Sequence, residues 1–105
     1  GSASQLVAVA IAARYLGSYP AANEVFHDAV AADEKHFAAH LEWADTFLEK
    51  YAAGEAERDA LAALEARPKD PDAHVLMARV KLEQNYDVPA ANRELAAALE
   101  CPLPT

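Results

Sequence analysis

The chain has 105 residues and a mass of 11.3 kDa, a size that accommodates one compact domain and not two. Hydrophobic residues make up 53% and charged residues 25%, which is enough apolar material for a core and excludes a disordered chain. Nine Lys and Arg against 17 Asp and Glu give a net charge of -8, which repels phosphate backbones and excludes general binding to nucleic acid.

Composition also indicates the fold class. Alanine fills 27 positions and glycine only three, so helix is favoured over strand along the whole chain. The apolar run at residues 6–13 has eight residues, far fewer than the roughly 20 of a membrane-spanning helix, and it lacks the basic flank of a secretion signal. We therefore expect an all-α protein with no membrane association, and the alanine content favours a bacterial, cytoplasmic one. Gly1 and Ser2 are typical of a cleaved affinity tag and are left out of the fold prediction.

Turn signals divide the chain into six predicted helices. Within three successive stretches the helical pattern is interrupted at Gly17-Ser18, Ala53-Gly54 and Asn85-Tyr86-Asp87. A capping side chain stands one or two residues before a proline at Ser18, Asp70 and Asp87, which marks the starts of the second, fifth and sixth helices. The predicted helices lie near residues 4–16, 19–33, 36–50, 54–66, 71–84 and 88–100.

The chain repeats itself with a period of 34 residues. Leu6, His40 and His74 are each followed three residues later by a bulky side chain and then by alanine. The last interval is 35 in the second half of the unit, because one extra residue lies in the turn at residues 85–87. The units are predicted at about 3–36, 37–70 and 71–103, as one domain over residues 3–103. Small residues that should allow close helix approach recur at Ala10, Ala22, Ala44, Ala56, Ala78 and Ala91.

This pattern resembles the tetratricopeptide repeat family. In the second unit the resemblance is carried by Trp43, Ala44, Phe47, Ala56, Ala63 and Pro68, and in the first by Gly17, Tyr19, Ala22, Phe26 and Ala29. The sequence departs from the family pattern at Glu34, Ala60 and Lys81. The resemblance implies a right-handed superhelix of three stacked helix-turn-helix units. It also implies a non-enzymatic scaffold that binds a peptide or partner protein on the concave face, which the first helix of each unit lines.

An acidic stripe is the candidate binding feature. Glu42, Asp45 and Glu49 are spaced by three and four residues, so they share one face of the third helix. With the corresponding positions of the first and fifth helices, the predicted partner-binding residues are Ile11, Arg14, Tyr15, Glu42, Asp45, Glu49, Arg79 and Glu83. Leu41 and Leu48 are expected beside them as apolar anchors. Such a groove favours a partner segment that is basic or apolar. The alternative is that the two arginines only neutralise the acids across neighbouring helices.

Histidines and carboxylates are the remaining candidates for a chemical site. His36 and His40 have the spacing of two metal ligands on one helix, but no Cys or third His is near them in sequence. His40 also corresponds to His74 at a packing position of the repeat, so we predict structural roles and no metal. The paired acids at helix ends favour the helix dipole, and no nucleotide-binding loop or Ser-His-Asp set can be assembled. No enzyme activity and no cofactor are expected.

The last predicted helix raises a second possible function. It carries Leu95 and Leu99, and no polar capping helix is expected after Cys101, although solenoids normally close with one. Either further repeats cover this apolar face in a longer protein, or the face meets another copy of the chain as a homodimer. The alternative function is therefore a self-association domain, or the terminal domain of a larger enzyme or assembly protein.

Overall fold

The computed structural model describes residues 2–102, and over these residues the protein is all-α. Every predicted helix is present, and its ends differ from the prediction by at most one residue. Leu103, the last residue of the predicted third unit, lies outside the described residues. The helices are α1 (Ala3–Tyr15), α2 (Tyr19–Ala32), α3 (Phe37–Glu49), α4 (Ala53–Ala66), α5 (Pro71–Asn85) and α6 (Val88–Glu100).

The six helices pack as three adjacent pairs that form a stack. The pairs are α1 with α2, α3 with α4, and α5 with α6. Contacts between α2 and α3 and between α4 and α5 join each pair to the next. The first helices also touch along the stack, α1 with α3 and α3 with α5. Within residues 2–102 the second helices α2, α4 and α6 do not touch one another. The stack is therefore tighter along its first helices, which makes the surface formed by α1, α3 and α5 the concave one.

Small residues at the predicted positions allow this close packing. The six alanines that recur in the repeat are all buried, with exposed fractions between 0% and 2%. Between the first and second units Phe26 is fully buried, and Trp43 packs against the same cluster. Between the second and third units Leu48, Met77 and Val80 form the corresponding core. Leu48 is therefore a core residue, and its prediction as a groove anchor is wrong.

Side-chain caps fix the starts of α1, α3, α5 and α6. Asp70 and Asp87 accept hydrogen bonds from the backbone amides of Ala73 and Ala90, as the proline signals predict. Ser2, left out of the fold prediction, caps α1 in a reciprocal capping box with Gln5. Ser18 stands at the predicted cap position of α2 but its side chain makes no cap hydrogen bond, so that prediction is wrong.

The length of the side chain accounts for the failure at Ser18. Ser18 and Asp87 have similar backbone angles, with ψ of 74° and 81°. The carboxylate of aspartate is one bond longer than the hydroxyl of serine, so at this angle only Asp87 reaches the amide of the first turn. Ser2 caps successfully because its ψ of 161° turns the hydroxyl toward the helix.

Candidate functional site

The acidic stripe on α3 lies in a depression on the concave surface. The volume of this depression is about 520 Å³, and its lining residues are Ile11, Arg14, Tyr15, Gly17, Tyr19, Glu42, Asp45 and Glu49. A second depression of about 230 Å³ continues toward α5 and is lined by Leu41, Glu42, Asp45, Asp72, Val75, Leu76 and Arg79. Glu42 and Asp45 line both, so the two depressions form one surface across three units, which we call the first-helix groove. Seven of the eight predicted binding residues lie in it.

Arg14 on α1 holds the acidic stripe of α3 from one side. Its Nε donates to Glu49 Oε2 at 2.7 Å, and its Nη2 donates to Asp45 Oδ2 at 3.0 Å. Its Nη1 lies 3.9 Å from Glu42 Oε2. One half-buried guanidinium therefore faces three carboxylates, a geometry suited to its planar array of donors.

Asp45 links the first helices of all three units. Its second oxygen, Oδ1, accepts a hydrogen bond from Arg79 Nη1 on α5 at 2.7 Å. Burial by itself would raise the pKa of Asp45, but the hydrogen bonds from Arg79 and Arg14 outweigh burial and hold that pKa below its ordinary value. The carboxylate therefore stays charged at neutral pH and bridges α1 to α5. The geometry that the neutralisation hypothesis requires is present at this residue.

Tyr19 closes the end of the groove, a position that the sequence pattern does not predict. Its hydroxyl donates to Glu49 Oε1 at 2.9 Å, and the ammonium of Lys50 lies 4.4 Å from the centre of its ring. Hydrogen bonds from Arg14 and then Tyr19 lower the pKa of Glu49. The only sequence signal for this role is the position of Tyr19 at the start of α2, directly after the turn that ends the Arg14 helix.

Glu42 is the carboxylate of the stripe with the weakest internal partner. Its closest cation is Arg14, at 3.9 Å and without a hydrogen bond. Burial, followed by the nearby negative charge of Asp45, raises the pKa of Glu42. Because Glu42 also lines both depressions, it is the acid of the stripe best placed to accept a cation from outside.

Glu83 was predicted in the groove, but the structure places it elsewhere. It lines a separate apolar depression with Tyr51, Ala53, Leu82, Tyr86 and Val88. The repeat explains the difference. Glu83 occupies the position of Glu49 one unit later, whereas Leu48 occupies the position of Arg14 and is buried. An apolar residue thus replaces the cation that draws Glu49 into the groove.

The histidines on α3 have structural partners. His36 caps the helix by accepting from the amide of Ala39, and its other ring nitrogen lies 3.1 Å from the hydroxyl of Ser4. His40 is buried, as its packing position predicts, but it also contacts Asp59 and the carbonyl of Glu34, which was not predicted. Within residues 2–102 no three His, Cys, Asp or Glu side chains are grouped as a metal site would require.

Two further findings bear on the function of this surface. In the part of the chain that the structure describes, no helix combines the length and the apolar character needed to cross a membrane. The chain matches no protein-family model and no curated protein. The geometry of the groove is therefore the basis for its function.

Proposed function

We propose that the protein is a non-enzymatic interaction scaffold of the tetratricopeptide type, acting in the bacterial cytoplasm and binding a segment of a partner protein in the first-helix groove. The observation that carries this proposal is the continuity of the groove across α1, α3 and α5. A surface built from three helices presents a long contact area to an extended or helical segment.

The charges and apolar side chains of the groove define the partner. Two arginines stand against four carboxylates, so the groove keeps an excess of negative charge. Apolar contact area comes from Ile11 and Val75, and from Tyr15, whose exposed fraction is 87%. A partner segment that carries Lys or Arg next to one or two large apolar residues fits this combination, because the anchors bury area and the cations provide steering.

Internal ion pairs favour binding by keeping the groove ordered. Arg14 and Arg79 hold Asp45 and Glu49 in place, so little side-chain freedom remains to be lost when a partner docks. Glu42 supplies the carboxylate that can pair with a partner cation, since it has no hydrogen bond from either arginine among the described contacts.

Selection from a random peptide library on the immobilised full chain tests the proposal. We expect enrichment of peptides with Lys or Arg beside Leu, Phe or Trp. Affinity for such a peptide, measured by fluorescence anisotropy, should fall at least tenfold in Glu42→Lys. The matched control is Glu24→Lys, which makes the same charge change on the exposed surface of α2 and should bind as the parent does.

Two results would contradict the proposal. One is enrichment of acidic or purely polar peptides. The other is equal affinity of Glu42→Lys, Glu24→Lys and the parent for a selected basic peptide. In either case the groove is not the binding surface, and Asp45 and Glu49 serve only to hold the first helices together.

A second function, self-association through α6, is favoured by a specific observation. Among the described residues α6 contacts only α5, and its Leu99 is 88% exposed. Light scattering over a range of protein concentrations distinguishes the two functions, because a groove-binding scaffold can stay monomeric. A dimer that Leu99→Arg dissociates would favour self-association, and a monomer throughout would remove it.

A further inference from the structure

The same histidine arrangement occurs in the second and third units. His40 on α3 places Nδ1 2.9 Å from Asp59 Oδ1 on α4 and Nε2 2.7 Å from the carbonyl oxygen of Glu34. His74 on α5 places Nδ1 3.0 Å from Glu94 Oε2 on α6 and Nε2 2.7 Å from the carbonyl oxygen of Pro68. Each ring therefore contacts the second helix of its own unit and the connection from the preceding unit.

Counting donors shows which protonation state these contacts require. A backbone carbonyl oxygen can only accept a hydrogen bond, so Nε2 must carry a proton. An ionised carboxylate likewise only accepts, so Nδ1 must carry one too. Neutral imidazole has a single N–H and satisfies one of the two contacts, whereas imidazolium satisfies both. The geometry at His40 and His74 is that of the charged ring.

We propose that His40 and His74 form a pH-sensitive clamp. When the two rings are charged, His40 holds α3 against α4 in the second unit and His74 holds α5 against α6 in the third. The clamp loosens when the rings lose one proton and become neutral. These contacts lie between the two helices of each unit and outside the first-helix groove, so the proposal does not depend on the proposed partner. The first unit lacks the clamp, because Leu6 and Val25 occupy the positions of the histidine and the carboxylate.

The surroundings of the two rings favour the proton. Asp59 on α4 and Asp33 in the connection after α2 are the charged groups that act on His40. Hydrogen bonding to Asp59 raises the pKa of His40, burial opposes this increase, and the Glu34 carbonyl adds to it. The side chains of His40 and Asp59 are only 8% and 5% exposed, so solvent screens this pair weakly.

His74 has the same kind of surroundings. Glu94 on α6 and Asp70 in the connection after α4 are the charged groups that act on it. Hydrogen bonding to Glu94 raises the pKa of His74, against the effect of burial, and the Pro68 carbonyl contributes further. Both rings therefore respond to pH in the same direction.

Loss of the proton has a direct structural cost at the second unit. The other carboxylate oxygen of Asp59, Oδ2, is buried and has no hydrogen-bond partner among the described residues. If His40 becomes neutral, the charge of Asp59 stays buried without a compensating cation, which is unfavourable inside a protein. Opening of the interface between α3 and α4 relieves this cost.

The raised pKa values set the pH range of the effect. The stabilisation is complete below the pKa of an unfolded histidine, about 6.5, and disappears as the pH rises through the higher pKa of the folded state. For each histidine, one unit of difference between the two pKa values changes the unfolding equilibrium constant about tenfold. The protein should therefore unfold more readily at pH 8.5 than at pH 6.

Nitrogen-15 NMR of the imidazole rings in the full chain is the primary test. His40 and His74 should titrate above the ordinary histidine value of about 6.5, and each charged ring should carry a proton on both nitrogens. If either ring titrates at or below about 6.5, the proposal is overturned. This measurement uses the parent protein and needs no variant to fold.

Denaturant unfolding at pH 6 and pH 8.5 is the second test. The first unit has Leu6 and Val25 at the positions of the histidine and the carboxylate. The variants therefore copy this pair: His40→Leu with Asp59→Val, and His74→Leu with Glu94→Val. Each should lose part of the stability difference between the two pH values, and the combined variant should lose most of it. An undiminished difference in the combined variant would overturn the proposal.

Discussion

At the scale of single residues, the turn inside each unit depends on one left-handed backbone position. Gly17, Tyr51 and Tyr86 occupy equivalent places in the three units, with φ values of 79°, 62° and 52°. Glycine adopts this conformation without penalty, whereas a side chain bearing Cβ is strained in it. The two tyrosines are 94% and 86% exposed, so burial does not compensate for the strain.

Exchanging residues at this position should change stability in opposite directions. Gly17→Ala should destabilise the protein by about 1 kcal/mol, and Tyr51→Gly should stabilise it by about 0.5 to 1 kcal/mol. A Cβ on Gly17 would meet no atom within 4 Å, so backbone conformation is the only source of the cost. Urea unfolding of both variants measures these changes.

The control for this prediction is Tyr51→Ala. Alanine removes the ring but keeps the Cβ and its strain, so this variant should not share the gain of Tyr51→Gly. Equal stability of the alanine and glycine variants would show that the ring, and not the backbone, determines the energy of this turn.

At the scale of the helices, an aromatic row joins the first unit to the second. Trp43 on α3 stacks between Phe26 on α2 and Phe47 on its own helix, with ring centres 6.2 and 5.3 Å apart. Its indole N–H donates to the side-chain oxygen of Asn23 on α2 at 3.2 Å. Trp43 therefore contributes both packing and a directed contact between units.

Trp43→Ala should destabilise the protein by about 3 kcal/mol, the lower end of the range for aromatic truncation because the ring is only partly buried. Urea unfolding followed by far-ultraviolet circular dichroism measures the change. Trp43→Phe, which keeps the stack and loses the hydrogen bond to Asn23, should cost much less. A loss below about 1 kcal/mol in Trp43→Ala would mean that the stacked row is not what joins α2 to α3.

Asp45 provides the second contact between units. Asp45→Asn should destabilise the protein by about 1 kcal/mol, because it weakens the hydrogen bonds to Arg14 and Arg79 while keeping the shape of the side chain. Thermal unfolding at low and high salt measures this change, and the loss should be smaller at high salt. Asp28→Asn on the exposed surface of α2 is the matched control and should have almost no effect. Equal stability of the two variants would show that the bridge through Asp45 does not stabilise the protein.

Sequence determined the helices more completely than their contacts. Alanine content, capping residues and the 34-residue period predict all six helices, because these signals act within one turn or one unit. The partners of Asp45 lie 31 and 34 residues away, and spacing alone does not show which helix faces meet. The sequence does carry one signal for the contacts of His40 and His74. A carboxylate follows His40 by 19 residues and His74 by 20, and the one-residue insertion in the turn at residues 85–87 accounts for the difference.

At the scale of the whole molecule, the stacking of the first helices produces the groove, and the acidic composition gives the groove a negative electrostatic potential. The net charge of -8 adds to the excess of carboxylates in the groove. A basic partner segment is therefore attracted before it makes contact, and this attraction is screened by salt.

Binding of a basic peptide should weaken several-fold between 0.05 and 0.15 M salt, mostly through slower association. Stopped-flow mixing of the protein with a labelled selected peptide separates the association and dissociation rates. Glu42→Lys should show a weaker salt dependence than Glu24→Lys, although both change the net charge equally. An identical dependence in the two variants would assign the steering to the whole protein and not to the groove.

Mapping of a bound peptide by amide NMR shows which helices form the binding surface. The parent protein, labelled with nitrogen-15, is titrated with a peptide that carries cations beside a large apolar anchor. If the peptide binds in the first-helix groove, chemical-shift changes should concentrate on α1, α3 and α5, around Ile11, Tyr15 and Glu42. Changes concentrated on α2, α4 or α6, with the first helices unaffected, would contradict binding in the groove.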